Sequence, residues 1–218
     1  MDYFIDVLTY LLEGSKITLL VFIFTLLSIP LGLIFAVIRK ISIQPIVKLI
    51  DLYTWIIRGT PLLLQLFFVV YGLPILFGPA FLFDELYGAV FTFIINYTAY
   101  FIEIFRGGMN AIHKGQYDAS KAIHLSPYQT YRHIILPQTL HKTLPSIGNE
   151  LITLIKDTAL VSAVSISDIL RNSRELVNRD FRVESYMVAA VIYLLFTYVI
   201  VMLFKKIETR HKAYYGER

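Results

Sequence analysis

Long apolar runs without charged residues constrain the fold of this chain more than any other feature. Residues Ile17 to Ile38 form a run of 22 residues without a charge, which Arg39 and Lys40 end. About 20 apolar residues are enough for a helix that spans the hydrocarbon core of a bilayer. Similar runs occur at Gly59–Phe83, Leu86–Ile102 and Met187–Phe204. The sequence therefore predicts an all-α integral membrane protein.

Composition agrees with this prediction and excludes several other classes of protein. The chain is 56% hydrophobic, whereas an ordinary soluble domain is about 45–50% apolar. It has no cysteine, so disulfides, thiolate nucleophiles and cysteine metal sites are excluded. The net charge of +4 does not indicate a nucleic-acid partner, because the basic residues lie in short segments between the apolar runs.

Residues 150–170 complete a set of five predicted spans, although they include Glu150, Lys156 and Asp157. A charge at mid-bilayer depth costs at least roughly 2.5–3.5 kcal/mol, so these side chains need partners or a water-filled cavity. The second run contains prolines and glycines, and we expect it to be bent or broken.

The distribution of basic residues predicts the orientation of the chain in the membrane. Fourteen Lys and Arg residues fall on one side of the five spans and five on the other. The positive-inside rule then places the amino terminus outside and the carboxyl terminus in the cytoplasm. We expect an amphipathic helix on the outer surface over residues 1–16, a transmembrane domain over 17–204 and a basic cytoplasmic tail over 205–218.

The longest polar segment, residues 106–145, predicts a cytoplasmic helical hairpin. The stretch DASKAIHL is expected to form one helix, Ser126 and Pro127 to begin a second, and Pro137 to end it. Four histidines in this segment raise the alternative of a metal site. Their spacings of 11, 9 and 8 residues do not place any pair on one helical face, so we predict no metal site.

The hairpin resembles the cytoplasmic EAA motif of ABC importer permeases, whose pattern is E-A-A, three residues, G, nine residues, I-x-L-P. Asp118, Ala119 and Ser120 take the first places, and His124 takes the glycine place, where the chain departs from the family pattern. The stretches RGTPLLLQLFFVVYGLP, YFIEIFRGGMNAI, LPQTLHKTLPSIGNE and KDTAL resemble the branch of that family that imports polar amino acids. The ATPase-coupling residues that the resemblance implies are Asp118, Ala119, Ser120, His124, Leu125, Ser126, Ile134, Leu136 and Pro137.

The resemblance implies a permease subunit that binds no nucleotide itself. The chain has no G-x-x-x-x-G-K-[ST] phosphate-binding loop, so ATP and Mg²⁺ would be bound by separate ATPase subunits. The implied partners are a dimer of ATP-binding subunits, a second permease chain that is either identical or a paralogue, and an external solute-binding protein. The implied location is a prokaryotic inner membrane.

Polar residues within or beside the predicted spans are the candidates for contact with a transported amino acid. Glu150, Glu103 and Asn96 would offer an acidic pocket to a guanidinium or ammonium group. One structural alternative is an ion pair between Glu103 and Arg106. Another is that Lys156 and Asp157 pair with groups on neighbouring helices and hold two permease chains together. The candidate substrate-binding residues are Gln65, Asn96, Glu103, Asn149, Glu150, Thr153, Lys156 and Asp157.

These features predict the permease subunit of an ATP-driven importer for basic or polar amino acids such as arginine, lysine or histidine. One alternative is a permease for a neutral polar amino acid such as glutamine. A second is an ion-coupled carrier that works without ATP, although five spans with one apparent half-site suit a dimer with external ATPases better.

Overall fold

A computed structural model of the chain describes residues 2–82 and 84–215, and every regular element in these residues is helical. Phe83, where the second span was expected to end, and the last three residues of the tail lie outside the described residues. The helices are α1 (Asp2–Thr25), α2 (Ser28–Ile41), α3 (Gln44–Gly59), α4 (Leu62–Phe67), α5 (Leu73–Phe77), α6 (Glu85–Asn110), α7 (Lys114–Ala122), α8 (Pro127–Thr130), α9 (Leu136–Asp157), α10 (Ile169–Asp180) and α11 (Glu184–Tyr215).

Helix α6 is the centre of the fold. Of the three helical segments long and apolar enough to span a membrane, it has the largest share buried inside the protein, and Phe93, Phe101 and Phe105 along it are completely buried. Helix α2 packs closely on it because Gly32 has no side chain: a Cβ atom there would lie against the Phe101 side chain. Helix α9 packs on the carboxyl-terminal half of α6, where Gly108 lies against Thr143.

The amino-terminal segment forms part of a longer helix. Helix α1 continues through residue 16 without a break, and Val7 and Leu11 are buried with Leu176 of α10 and Ile192 of α11. The helix expected over residues 1–16 is thus continuous with the start of the first apolar run. Its location on the outer surface of the membrane stays a prediction.

The second apolar run is irregular, as its prolines and glycines predict. Helices α3 and α4 meet at an angle of 102° across Thr60 and Pro61. A π-helical turn, Phe68–Gly72, then separates α4 from α5. Within the described residues, three helical segments are long and apolar enough to span a membrane, or four if the bent pair α3–α4 counts as one span. The number of five spans remains a prediction.

The fourth predicted span differs most from expectation. Its helix, α9, begins at Leu136 and ends at Asp157, and a 3-10 helix, Thr158–Val164, follows it. The expectation that Pro137 ends a helix is wrong. A π-helical turn, Tyr131–Ile135, precedes Pro137 and leads directly into α9. Pro137 lies in the first turn of α9, where a helix does not need the amide N–H that proline lacks.

Candidate functional site

Gln65 and Asn96 lie together at the break between α3 and α4. The Gln65 Nε2 atom donates to the carbonyl oxygen of Ile57 at 2.8 Å, to that of Thr60 at 3.2 Å, and to the Thr60 hydroxyl at 2.7 Å. Asn96 of α6 donates to Gln65 Oε1 at 2.9 Å. Carbonyl groups at the end of a helix have no intrahelical partner, and in a membrane they must find one in the protein. Gln65 supplies that partner, so it stabilises the break between α3 and α4.

Asp157 lies against α6. Its Oδ2 atom accepts a hydrogen bond of 2.8 Å from the hydroxyl of Tyr97, a residue 60 positions away in sequence. Tyr97 is almost completely buried, and its ring lies 6.1 Å from that of Tyr100. The expected pairing of Asp157 with a neighbouring helix is thus observed within one chain.

Glu103 is held mainly by Arg106, as the alternative interpretation of its role predicted. Arg106 donates to both carboxylate oxygens of Glu103, with a shortest distance of 2.6 Å from Nη2. Arg58, at the end of α3, approaches the same carboxylate only to 3.7 Å. The Arg58 guanidinium also lies 5.4 Å from the centre of the Tyr100 ring.

Helix α9 carries an exposed polar stripe beside these residues. Asn149, Thr153 and Lys156 are exposed, at the spacing of one helical face. Glu150 is partly buried next to this stripe, and Arg58 and Asp157 are charged groups that act on it electrostatically. A polar face on a helix in apolar surroundings requires water or protein against it, because lipid cannot satisfy it.

Contacts between α3, α6 and the end of α9 join Arg58, Tyr97, Tyr100, Glu103 and Asp157. Together with the polar residues of α9 they form a set that we call the polar cluster, in which Asn149 lies on a groove between α9 and α11. It can offer carboxylates to a cationic group and an arginine to an anionic one, so it has the charges needed to bind a zwitterion. Gln65 and Asn96 border it but are occupied by their mutual hydrogen bond. Its members are Arg58, Tyr97, Tyr100, Glu103, Asn149, Glu150, Thr153, Lys156 and Asp157.

Sequence reasoning did not select Arg58 or Tyr100 as site residues. Each begins a stretch that resembles the amino acid importers, but the resemblance gave neither residue a role in the site. Both belong to the site through contacts between α3 and α6 that the local sequence does not encode.

The hairpin that carries the EAA-like motif keeps a regular turn although histidine replaces glycine. His124 has φ of 60°, in the left-handed region. The amide of Leu125 donates to the carbonyl of Ser120 at 3.0 Å, and that of His124 to Lys121 at 2.9 Å. These two hydrogen bonds define a Schellman motif, which most often has glycine at the position of His124. The expected helix over DASKAIHL thus ends as it would in the family pattern.

The hairpin divides its predicted coupling residues between an exposed and a packed side. Asp118, Ala119, His124 and Ser126 are exposed, whereas Ser120 is completely buried. Ser126 caps α8 by accepting from the Gln129 amide, and the Gln129 side chain accepts from the Ser126 amide in return. The partly buried members are Leu125, Ile134, Leu136 and Pro137.

The exposed tip of the hairpin also presents two large residues that the motif did not identify. Ile123 and Tyr128 are both 67% exposed. Behind them, Tyr117 and Tyr131 pack edge to face at 6.4 Å, and burial raises the pKa of both hydroxyl groups. The tip is therefore a partly apolar surface supported by packed side chains, of the kind that docks to another protein.

The opposite end of the molecule is rich in charge pairs. Tyr10 of α1 donates to Glu175 of α10 at 2.6 Å, and Arg171 donates to the same carboxylate at 3.0 Å. These hydrogen bonds lower the pKa of Glu175. Arg182 lies 4.0 Å from the ring centre of Tyr3 and so joins the loop after α10 to the start of α1. The ordered charges make this loop a second candidate docking surface.

A helical membrane protein with a polar cluster between its spans and a docking hairpin on one side has the architecture of a transporter permease. The chain belongs to the family of inner membrane components of binding-protein-dependent transport systems, whose family model matches residues 28–212. Within it, the chain is the permease subunit of an amino acid ABC transporter.

Characterised relatives transport different amino acids. The arginine transport system permease protein ArtQ of Bacillus subtilis (strain 168) is 34% identical over 94% of this chain and 93% of its own length. The glutamine transport system permease protein GlnP of Escherichia coli (strain K12) is also 34% identical, over 93% of each chain. The L-cystine permease protein TcyL of Bacillus subtilis (strain 168) is 34% identical over 83% of this chain and 76% of its own length.

Solved structures share the fold. A chain from the crystal structure of an amino acid ABC transporter with histidines superposes with a TM-score of 0.82 at 31% identity, covering 96% of this chain and 95% of that one. An inward-facing structure of the MetNI methionine ABC transporter superposes with a TM-score of 0.73 at 16% identity, over 97% and 99% of the two chains. The second likeness concerns the fold alone.

Proposed function

We propose that this permease moves basic amino acids, with arginine as the preferred substrate. The observation that carries the proposal is the charge of the polar cluster. Glu103 is neutralised by Arg106, which leaves Glu150 and Asp157 without an ion pair within 4 Å among the described residues. A basic amino acid carries two cationic groups and one anionic group. Two carboxylates without an ion pair, in one cluster with Arg58, suit that set of charges.

Transport itself would follow from the two docking surfaces. The hairpin tip would bind the ATP-binding subunits, and the charged loop after α10 would bind an external solute-binding protein. Closure of the ATPases would move the hairpin, and the spans would rotate as rigid bodies to open the polar cluster to each side in turn. The amino terminus would lie outside and the carboxyl terminus in the cytoplasm.

A second permease chain would complete the site. The exposed polar stripe of α9 supports this step, because it is unsuited to lipid and the stripe of a second copy or of a paralogue would cover it. The substrate would then pass between the two chains, next to Thr153 and Lys156.

Glutamine is the second candidate substrate. The relative named for glutamine is as similar to this chain as the one named for arginine. A neutral side chain would leave one of the two carboxylates without a cation, which is the physical reason to prefer arginine.

Uptake into proteoliposomes tests the function. The chain is reconstituted with its ATPase and binding protein, and entry of labelled arginine, lysine, histidine and glutamine is measured with and without internal ATP. We expect ATP-dependent uptake in which arginine and lysine exceed glutamine. Uptake that persists without the ATPase subunit would instead identify an ion-coupled carrier. ATP-dependent uptake of glutamine alone would overturn the proposed substrate class.

A further inference from the structure

We infer that Arg58 is a specificity residue of this permease, which binds the α-carboxylate of the transported amino acid. The inference rests on the proposed function and adds to it the group that recognises the backbone of the substrate. It assigns a role to a residue that neither the spans nor the hairpin motif identify.

The first argument is that the donors of Arg58 are unused. Within the described residues its guanidinium donates no hydrogen bond, and its nearest carboxylate oxygen, on Glu103, lies 3.7 Å away. Arg39 provides a contrast on the preceding helix, because it donates to both carboxylate oxygens of Asp51. A guanidinium presents a planar set of N–H donors that matches a carboxylate in a bidentate arrangement. Arg58 keeps this set available.

The second argument is that Arg58 is positioned rather than loose. Its guanidinium lies against the Tyr100 ring at 5.4 Å, which is within the range of a cation–π contact. The helix that carries it ends at a break whose carbonyl groups are held by Gln65. Its side chain is still 43% exposed, so a ligand can reach it.

The third argument concerns the nearest carboxylate. Arg58 lies beside Tyr100 and Glu103 of α6, at 5.4 Å from the ring centre and 3.7 Å from the carboxylate. Arg106 already donates to both carboxylate oxygens of Glu103. The N–H donors of Arg58 are therefore left for the carboxylate of a ligand.

The geometry then assigns one end of the substrate to each side of the polar cluster. The α-carboxylate would lie against Arg58, and the cationic groups would lie against Glu150 and Asp157 on α9 and its end. Contacts through Tyr100 and Tyr97 link Arg58 to Asp157 at the end of α9. One amino acid would therefore reach both sides of the cluster.

The test compares arginine with agmatine, which is arginine without its carboxylate. The complete transporter is placed in nanodiscs without binding protein, and both compounds compete against labelled arginine. Wild type, Arg58→Gln, Arg58→Lys and a control, Lys48→Gln, are measured. Lys48 is an exposed cation on the same helix and lies outside the cluster.

We expect wild type and the Lys48→Gln control to bind arginine at least tenfold more tightly than agmatine. Arg58→Gln should reduce arginine affinity to that of agmatine and leave agmatine affinity within twofold of wild type. Arg58→Lys, which retains the charge but loses the planar donor set, should give an intermediate ratio. It also serves as the test if Arg58→Gln does not assemble.

Two results would overturn the inference. Equal losses for arginine and agmatine would show that Arg58 acts on the structure of the cluster, and an unchanged ratio in both variants would show that it does not contact the carboxylate. Failure of the proposed function would give a different result from failure of the Arg58 inference. In that case wild type would bind neither compound or would show no ATP-driven uptake of arginine.

Discussion

At the scale of single residues, His124 shows how a departure from a family pattern can be absorbed. Its left-handed conformation is costly for a residue with a Cβ atom, by roughly 1–2 kcal/mol, but the two hydrogen bonds of the Schellman motif hold it in place. The motif depends on the conformation and not on the glycine itself. The hairpin therefore keeps its shape while the histidine side chain is presented at the exposed tip.

His124→Gly should stabilise the end of α7, because glycine adopts this conformation without a steric penalty. We expect a local gain of about 1 kcal/mol after the greater freedom of unfolded glycine is counted. Amide hydrogen exchange at Leu125 should slow by about fivefold.

His133→Gly is the matched control, because His133 lies in the π-helical turn and does not have positive φ. Glycine within a helix costs about 1 kcal/mol, so exchange near residue 133 should become faster. Faster exchange at Leu125 in His124→Gly would show that the left-handed strain is not relieved by glycine.

At the scale of elements, the sequence predicts the apolar spans well and their breaks less well. The charge-free runs ending at Ile102 and Phe204 each fall within one helix, whereas the run ending at Ile38 crosses the turn at Leu26 and Leu27 between α1 and α2. Helix α9 begins fourteen residues before the predicted span at Glu150 because a π-helical turn lets the chain pass Pro137. Such a turn depends on packing against α6 and α7 and has no local sequence signal.

The polar cluster shows the same limit. Its carboxylates could be predicted from charges in apolar surroundings, and Glu103 could be paired with Arg106 from their spacing. The contact between Tyr97 and Asp157 joins two helices 60 residues apart. Spacing within a helix cannot predict it, because it depends on how the helices cross.

Gln65→Leu should destabilise the protein through the break between α3 and α4. The substitution leaves the carbonyl groups of Ile57 and Thr60 and the amide of Asn96 without a partner. Each buried group without a hydrogen bond costs about 1–3 kcal/mol. Thermal denaturation of the purified chain in detergent should show a Tm that is lower by several degrees.

Gln44→Leu serves as the control, since Gln44 is exposed at the start of α3. A surface substitution of this kind changes stability by about 0.5 kcal/mol or less. Equal Tm values for the two variants would mean that Gln65 does not stabilise the break between α3 and α4.

At the scale of the whole molecule, the two docking surfaces must lie on opposite sides of the membrane. The chain has no cysteine, so single cysteines can report their side without background. Ile123→Cys marks the hairpin tip and Phe181→Cys marks the loop after α10, where the side chains are 67% and 91% exposed. An impermeant maleimide added to intact cells should label Phe181→Cys at once and Ile123→Cys only after lysis. Labelling in the reverse order would contradict the orientation.

The central claim is that Glu150 in the polar cluster sets the preference for a basic substrate. The most direct test is the ratio of arginine to glutamine uptake in proteoliposomes that contain wild type or Glu150→Gln, with the same ATPase and binding protein. Glu13→Gln, which changes an exposed carboxylate outside the cluster, is the control. A hydrogen bond to a charged group contributes about 1.5–3 kcal/mol, so kcat/KM for arginine should fall at least tenfold while that for glutamine changes little. An unchanged ratio, with ATP hydrolysis intact, would show that the membrane carboxylate does not select the substrate.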